Sequence, residues 1–147
     1  DGHFAYVINE IKQTVTAFRY RAKRGRLKTL QTVSTVPHSV EGNSTAEVLV
    51  HPSGKFLYGS NRGHNSIASF TVESSTGRLT ATGRVPTEPV PRAFSLDPTG
   101  SFLFAAGLDS GRLASYQVNP DSGQLTPLET YEGGNRPMWV LITRLAG

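Results

Sequence analysis

The sequence has 147 residues and no cysteine, and 15 basic against 11 acidic side chains give it a net charge of +4. This length predicts a single domain with a real core, and the lack of cysteine excludes a disulfide framework, a thiolate metal site and a cysteine nucleophile. The hydrophobic fraction of 37% indicates a globular chain, and no apolar run approaches the roughly 20 residues of a membrane helix.

A basic stretch between residues 19 and 28 is the only feature that suggests nucleic-acid binding. Arg19 and Arg21 alternate with Phe18 and Tyr20, so in a strand the cations and the aromatic rings face opposite sides. A nucleic-acid platform needs both on one surface. The pattern therefore predicts a solvated edge strand, and we expect neither a nucleic-acid nor a membrane partner.

Three copies of one pattern follow each other along the chain. An aromatic-rich run at residues 4–9 returns at 56–61 and again at 102–107, at offsets of 52 and 46 residues. The same offsets relate two further sets of residues, the aromatic residues Phe18, Phe70 and Tyr116 and the Gly-x-Leu turns at Gly25, Gly77 and Gly123. Because one pair of offsets fits three landmarks, we interpret them as a repeat.

A fourth element precedes the aromatic-rich run. Residues 47–50 are followed by His-Pro-Ser-Gly, residues 93–96 are followed by Asp-Pro-Thr-Gly, and residues 139–142 lie 46 residues after 93–96. Both four-residue sequences are typical of tight turns. Residues 67–72 alternate with the period of a strand. Each repeat therefore predicts four short strands, here called a, b, c and d, in an all-β chain without a helix longer than about two turns.

Four short strands in a repeat of this length are typical of a β-propeller blade, a four-stranded antiparallel sheet. The predicted parts are strands b, c and d of one blade at residues 3–36, whole blades at 45–85 and 92–131, and a closing strand a at 137–143. Residues 1–147 thus form a single partial propeller of about three blades. Since propellers close with about four to eight blades, we expect a homo-oligomer or association with missing blades.

The b–c and d–a connections of a propeller emerge on the face where such folds usually hold ligands. That face is expected to collect Glu10, Glu47, Arg62, His64 and Arg92. Arginines bind a carboxylate or phosphate bidentately, and a carboxylate or imidazole can move a proton. The cluster therefore predicts acyl or lactone chemistry on an anionic substrate; the alternative is a set of solvated loop charges.

Other kinds of site find no support in the sequence. His3, His38 and His51 have no metal-ligand spacing, and there is neither a nucleophile elbow nor a glycine-rich phosphate loop leading from a strand into a helix. We expect no metal and no cofactor. His51, next to a turn, is interpreted as structural, and Trp139 as packing along the channel.

Five stretches together carry a family resemblance: residues 4–10 (FAYVINE), 43–48 (NSTAEV), 51–64 (HPSGKFLYGSNRGH), 91–94 (PRAF) and 97–100 (DPTG). They resemble the lactonase family of seven-bladed β-propellers, which includes propeller-type 6-phosphogluconolactonases and the fungal 3-carboxy-cis,cis-muconate lactonizing enzyme. The resemblance covers nearly the whole chain. It implies that the chain corresponds to about the C-terminal three blades of a longer enzyme.

The resemblance also implies roles for individual residues. Glu10 matches the family's catalytic carboxylate and Arg62 an anion-binding arginine, while His64, Glu47 and Arg92 match motif positions on the substrate side. The family's catalytic histidine and a further arginine would come from earlier blades, so the chain alone is expected to be inactive.

The implied function is that of a cytoplasmic lactonase-type hydrolase or lactonizing enzyme. Its substrate would be a small anionic lactone, either a 6-phosphogluconolactone-like sugar lactone or a muconolactone. Two alternatives stay open, because propellers serve many functions: a non-catalytic binding scaffold, or a self-assembling three-blade unit.

Overall fold

The computed structural model describes residues 2–145, which form three separate antiparallel sheets. Blade I contains β1 (Phe4–Asn9), β2 (Thr14–Arg21) and β3 (Arg26–Ser34). Blade II contains β4 (Ser44–Val50), β5 (Phe56–Arg62), β6 (Ser66–Val72) and β7 (Leu79–Pro86). Blade III contains β8 (Pro91–Leu96), β9 (Phe102–Gly107), β10 (Arg112–Val118) and β11 (Leu125–Glu132).

The predicted all-β fold built from propeller blades is confirmed. Strands that follow each other in the chain pair antiparallel within each blade, and blades II and III each have four of them. In the described part of the chain the helical structure is limited to a short 3-10 turn at Ala22–Arg24. Accordingly, no helix among residues 2–145 is long and apolar enough to cross a membrane.

Residues 137–143, predicted as a closing strand a, form no strand. The segment leaves blade III at Gly133, whose N–H donates to the Gly111 carbonyl at 2.8 Å, and continues as irregular chain with Leu141 72% exposed. A segment forms a strand only when its backbone N–H and C=O groups make hydrogen bonds with a neighbouring strand. A closing strand a would pair with β1 of the incomplete blade I, but blade II packs between blades I and III, so this pairing does not form within the described residues.

The core lies in two layers between the blades. Val15 of blade I packs with Leu57 and Phe70 of blade II in one layer, while Tyr58 of blade II packs with Leu103 of blade III in the other. Side chains alternate across a strand, so neighbouring residues of β5 enter different layers. Blade II is thus buried on both sides.

A repeated contact joins each blade to the next one. The Tyr58 hydroxyl donates to the Gly123 carbonyl at 2.8 Å, and the equivalent Tyr6 hydroxyl donates to Gly77 at 3.0 Å. The ring of Phe56 lies against Gly123, where an added Cβ would come within 2.4 Å of it. Burial raises the pKa of Tyr58, which keeps its hydroxyl protonated as a donor.

His51 makes a second contact between blades II and III. Its Nε2 lies 2.9 Å from the Gly100 carbonyl and its Nδ1 lies 2.7 Å from the Ser53 hydroxyl. The ring is 8% exposed and packs edge-on against Phe56. His51 therefore holds two turns together, as expected of a structural residue.

The same contact is left open at both ends of the chain. Phe102 of blade III occupies the repeat position of Phe56 but is 40% exposed, because none of the blades formed by residues 2–145 packs against it. Gly25 of blade I occupies the position of Gly123, and an added Cβ there would meet nothing within 4 Å. The two ends are thus complementary halves of the contact that joins neighbouring blades.

We predict that Phe102 of one copy packs on the Gly25 turn of a second copy. Two copies would supply six blades, a number that propellers use, with two-fold symmetry. Sedimentation at micromolar concentration should give a dimer, and Phe102→Ala should weaken it at least tenfold, since it removes an apolar anchor. Ile11→Ala, which truncates a loop side chain that is 77% exposed, serves as the control. A compact wild-type monomer would contradict the prediction.

Candidate functional site

A cavity of about 450 Å³ opens where the inner strands of the blades begin. It is lined by the end of β1, the starts of β4 and β8, the end of β5 and the segment after β11: Ile8, Glu10, Thr45, Ala46, Glu47, Arg62, Arg92, Ala93, Met138 and Trp139. The structure thus brings together four of the five site residues predicted from sequence. The fifth, His64, does not line the cavity.

Irregular strand pairing presents two of these charged residues. In β4 the register against β5 shifts between Thr45 and Val48, and this interval contains Glu47, whose N–H donates to the Ser60 hydroxyl at 3.0 Å. In β8 a corresponding shift contains Arg92. Extra residues of this kind bend a strand and redirect its side chains. Both residues consequently reach the cavity from the beginning of an inner strand.

Arg62 is firmly anchored at the end of β5. Its side chain is 16% exposed, and Nη2 donates to the Thr45 carbonyl at 3.0 Å and to the carboxylate of Glu10. Glu10 follows β1, with a side chain 62% exposed, and its backbone carbonyl accepts from the Thr45 N–H at 3.0 Å. Blades I and II therefore meet in this ion pair, and the cation is held more tightly than the carboxylate.

The local sequence Asn-Arg-Gly-His explains why this arginine is fixed. The buried amide of Asn61 donates to the Thr35 carbonyl at 3.3 Å and to the Ser66 hydroxyl at 3.1 Å. Gly63 has φ +104, and an added Cβ would lie 2.8 Å from the Gly42 carbonyl. Glycine is thus required for this close approach of two loops. The arginine between them is held by an anchor on each side.

His64 has a different position from the other predicted site residues. Its Nδ1 lies 2.8 Å from the Ser66 hydroxyl, and its backbone N–H donates to Asn43 Oδ1 at 2.9 Å. The residue is exposed and shapes the loop next to Arg62. A direct role of His64 in substrate binding stays a prediction.

Two buried polar atoms of cavity-lining residues have no hydrogen-bond partner in the described part of the chain. They are the hydroxyl of Thr45, a residue with no exposed surface, and Nε of Arg62. A buried polar group without a partner costs about 1–3 kcal/mol. These two groups therefore lower the stability of the protein as long as they have no partner.

We predict that Thr45→Val raises the free energy of unfolding by about 1 kcal/mol, because it keeps the shape and removes the unpartnered hydroxyl. The matched control is Thr35→Val. Thr35 is equally buried, but its hydroxyl donates to Asn61 Oδ1 at 2.7 Å, so this change should cost about 1–3 kcal/mol. Urea unfolding of both variants measures the difference; equal losses would contradict the prediction.

The cavity lining carries two cations, Arg62 and Arg92, and two carboxylates, Glu10 and Glu47. Arg92 is exposed, and the ion pairs of residues 2–145 do not include it. No group of three His, Asp or Glu side chains that could hold a metal ion occurs in the described chain. Two guanidinium groups can hold a phosphate or carboxylate, with Glu10 beside them as a group that can accept a proton.

Sequence reasoning missed Thr45, Met138 and Trp139 as lining residues. Met138 and Trp139 lie 46 residues beyond Arg92 and its neighbour, so the repeat itself contained the signal. Trp139, interpreted as packing along the channel, lines the cavity and is 74% exposed among the described residues. No pattern in the sequence marked the Thr45 hydroxyl as unpartnered, since that depends on contacts between blades.

Comparison with known proteins gives a consistent result. The family model "Lactonase, 7-bladed beta-propeller" matches residues 1–142. A 6-phosphogluconolactonase of Pectobacterium carotovorum subsp. carotovorum is 36% identical over 97% of this chain and 43% of its own length.

The similar solved structures include the following two. A Lactobacillus plantarum protein has a TM-score of 0.90 at 30% identity, over 95% of this chain and 41% of its own. The periplasmic gluconolactonase of Pseudomonas aeruginosa has a TM-score of 0.86 at 32% identity, over 92% of this chain and 38% of its own. The chain therefore spans about two fifths of the length of the relatives that it matches over most of its own length.

Proposed function

The chain belongs to the lactonase family of seven-bladed β-propellers, and from this we propose that it carries the anion-binding and proton-accepting part of a lactonase site. The proposed substrate is a 6-phosphogluconolactone-like sugar lactone. The 6-phosphogluconolactonase of Pectobacterium carotovorum aligns with 97% of the chain. The single observation that carries the proposal is the cavity that Arg62, Arg92 and Glu10 all line.

The proposed chemistry is hydrolysis of the ester bond in the lactone ring. Arg62 and Arg92 bind the anionic group of the substrate and oppose the charge that grows on the carbonyl oxygen. Glu10 accepts a proton from the attacking water. The water oxygen bonds to the carbonyl carbon, the ring C–O bond breaks, and the leaving oxygen takes up the proton that Glu10 accepted, which gives the hydroxy acid and restores the carboxylate.

Anion binding would also release Glu10 for this task. In the free protein its carboxylate is paired with Arg62. A substrate phosphate or carboxylate that engages the guanidinium competes with this pair, because both anions need the same donors. The carboxylate, which is the more exposed partner, then becomes available to accept a proton.

The chain supplies only part of the proposed machinery. It covers 43% of the length of the Pectobacterium relative, and the family resemblance implies a catalytic histidine in blades outside it. We therefore expect residues 1–147 to bind the ligand and to show little turnover alone. A cytoplasmic location stays a prediction, and the Pseudomonas relative is a periplasmic protein.

Calorimetric titration of the chain with 6-phosphogluconate, the stable hydroxy acid product, tests the proposal. The expected result is binding that weakens with added salt, as charge-dependent contacts do. Gluconate, which lacks the phosphate, should bind at least tenfold more weakly. Absence of binding by both acids would overturn the proposal and favour the non-catalytic scaffold.

A further inference from the structure

The cavity is built from the same two positions of three successive repeats. The pairs at residues 46–47, 92–93 and 138–139 are 46 residues apart, and all of their members line the cavity. The side chains at these positions differ in chemistry: Ala46 and Glu47, Arg92 and Ala93, Met138 and Trp139. The repeated scaffold therefore carries an acidic, a cationic and an apolar wall.

Trp139 dominates the apolar wall. It is 74% exposed and its neighbour Met138 is 53% exposed, so residues 2–145 leave most of the indole uncovered. Large aromatic side chains are usually well buried, and an uncovered one in a cavity is suited to contact a ligand. Arg92 lines the same cavity. A ligand that satisfies both residues has an anionic group and a flat, apolar face.

We propose that Trp139 determines specificity by packing its indole against the ring face of the substrate while Arg62 and Arg92 bind the anionic group. This inference rests on the proposed function. A closed sugar ring presents C–H groups on its face, and contact with an indole removes them from water. An open-chain acid presents no such face.

The arrangement also explains how substrate and product would be distinguished. Hydrolysis opens the ring and leaves the anionic group unchanged. The product therefore keeps the contacts with the arginines and loses the contact with Trp139. A loss of about 1.4 kcal/mol corresponds to a tenfold weaker affinity, which favours exchange of the product for new substrate.

Two stable ligands separate the two contacts. Glucose 6-phosphate carries the phosphate on a closed ring, and 6-phosphogluconate carries it on an open chain. The chain has a single tryptophan, so its fluorescence reports on Trp139 alone. We expect glucose 6-phosphate to change this fluorescence saturably, and 6-phosphogluconate to change it less.

Calorimetry on variants completes the test. Trp139→Ala should weaken glucose 6-phosphate binding about tenfold and 6-phosphogluconate binding less than twofold. Trp139→Phe should retain most of the affinity, because it keeps an aromatic face. Equal effects of Trp139→Ala on both ligands, or none, would overturn the role of Trp139 and leave the proposed function intact. If wild-type protein binds neither ligand, the proposed function fails and this inference fails with it.

Discussion

Replacing Gly123 with alanine is expected to lower the free energy of unfolding by about 2–5 kcal/mol. Gly123 has φ +69, and an added Cβ would lie 2.4 Å from the ring of Phe56. The left-handed conformation costs an alanine about 1–2 kcal/mol, and forcing extra volume into a packed contact costs about 1–3 kcal/mol. The Tyr58 hydrogen bond to this carbonyl would also be disturbed.

Gly54→Ala is the matched control for this prediction. Gly54 has φ +72, almost the same as Gly123, but an added Cβ there meets nothing within 4 Å. Its replacement should therefore cost only the backbone strain of about 1–2 kcal/mol. Urea unfolding of the two variants isolates the contribution of the contact between blades. If both cost the same, Gly123 has no role beyond its own turn.

Much of the fold could be predicted from the sequence, because the repeat marks it directly. Residues 4–9, 56–61 and 102–107 become β1, β5 and β9, and the Gly-x-Leu motifs become turns. This worked because turn residues and alternation are local properties of the chain. The function of Gly77 and Gly123 as contact points between blades was not visible, since their partners lie 73 and 67 residues away.

The strand expected at residues 137–143 shows the limit of this reasoning. Its sequence matches the repeat, but a strand forms only beside a free edge of another strand. Among residues 2–145 no such edge lies next to this segment. For the site, the sequence placed Glu10, Glu47, Arg62 and Arg92 on one face, and they line one cavity. These four residues share one face because the connections between the strands of a propeller emerge on defined faces. The pairing of Glu10 with Arg62 and the position of His64 depend on details of loop packing that no pattern encodes.

Arg62→Ala should produce the largest functional effect. Its side chain is only 16% exposed and is held by the Thr45 carbonyl, so it presents donors in a fixed geometry. Hydrogen bonds to charged groups contribute about 1.5–3 kcal/mol, and we expect a loss of about 10–100-fold in affinity for 6-phosphogluconate. In a seven-bladed chain that hydrolyses the lactone, loss of such a preorganised donor should lower the rate by about 10²–10³-fold.

Two further variants assign this effect to the cavity. Glu10→Gln keeps the size of the side chain and removes its ability to accept a proton, so hydrolysis should fall at least tenfold while affinity for 6-phosphogluconate does not decrease. Arg112→Ala removes an arginine that pairs with Glu132 at 3.5 Å outside the cavity, and neither affinity nor rate should change. If Arg62→Ala and Glu10→Gln both retain wild-type behaviour, these residues form a solvated surface ion pair, and the propeller serves as a binding scaffold instead.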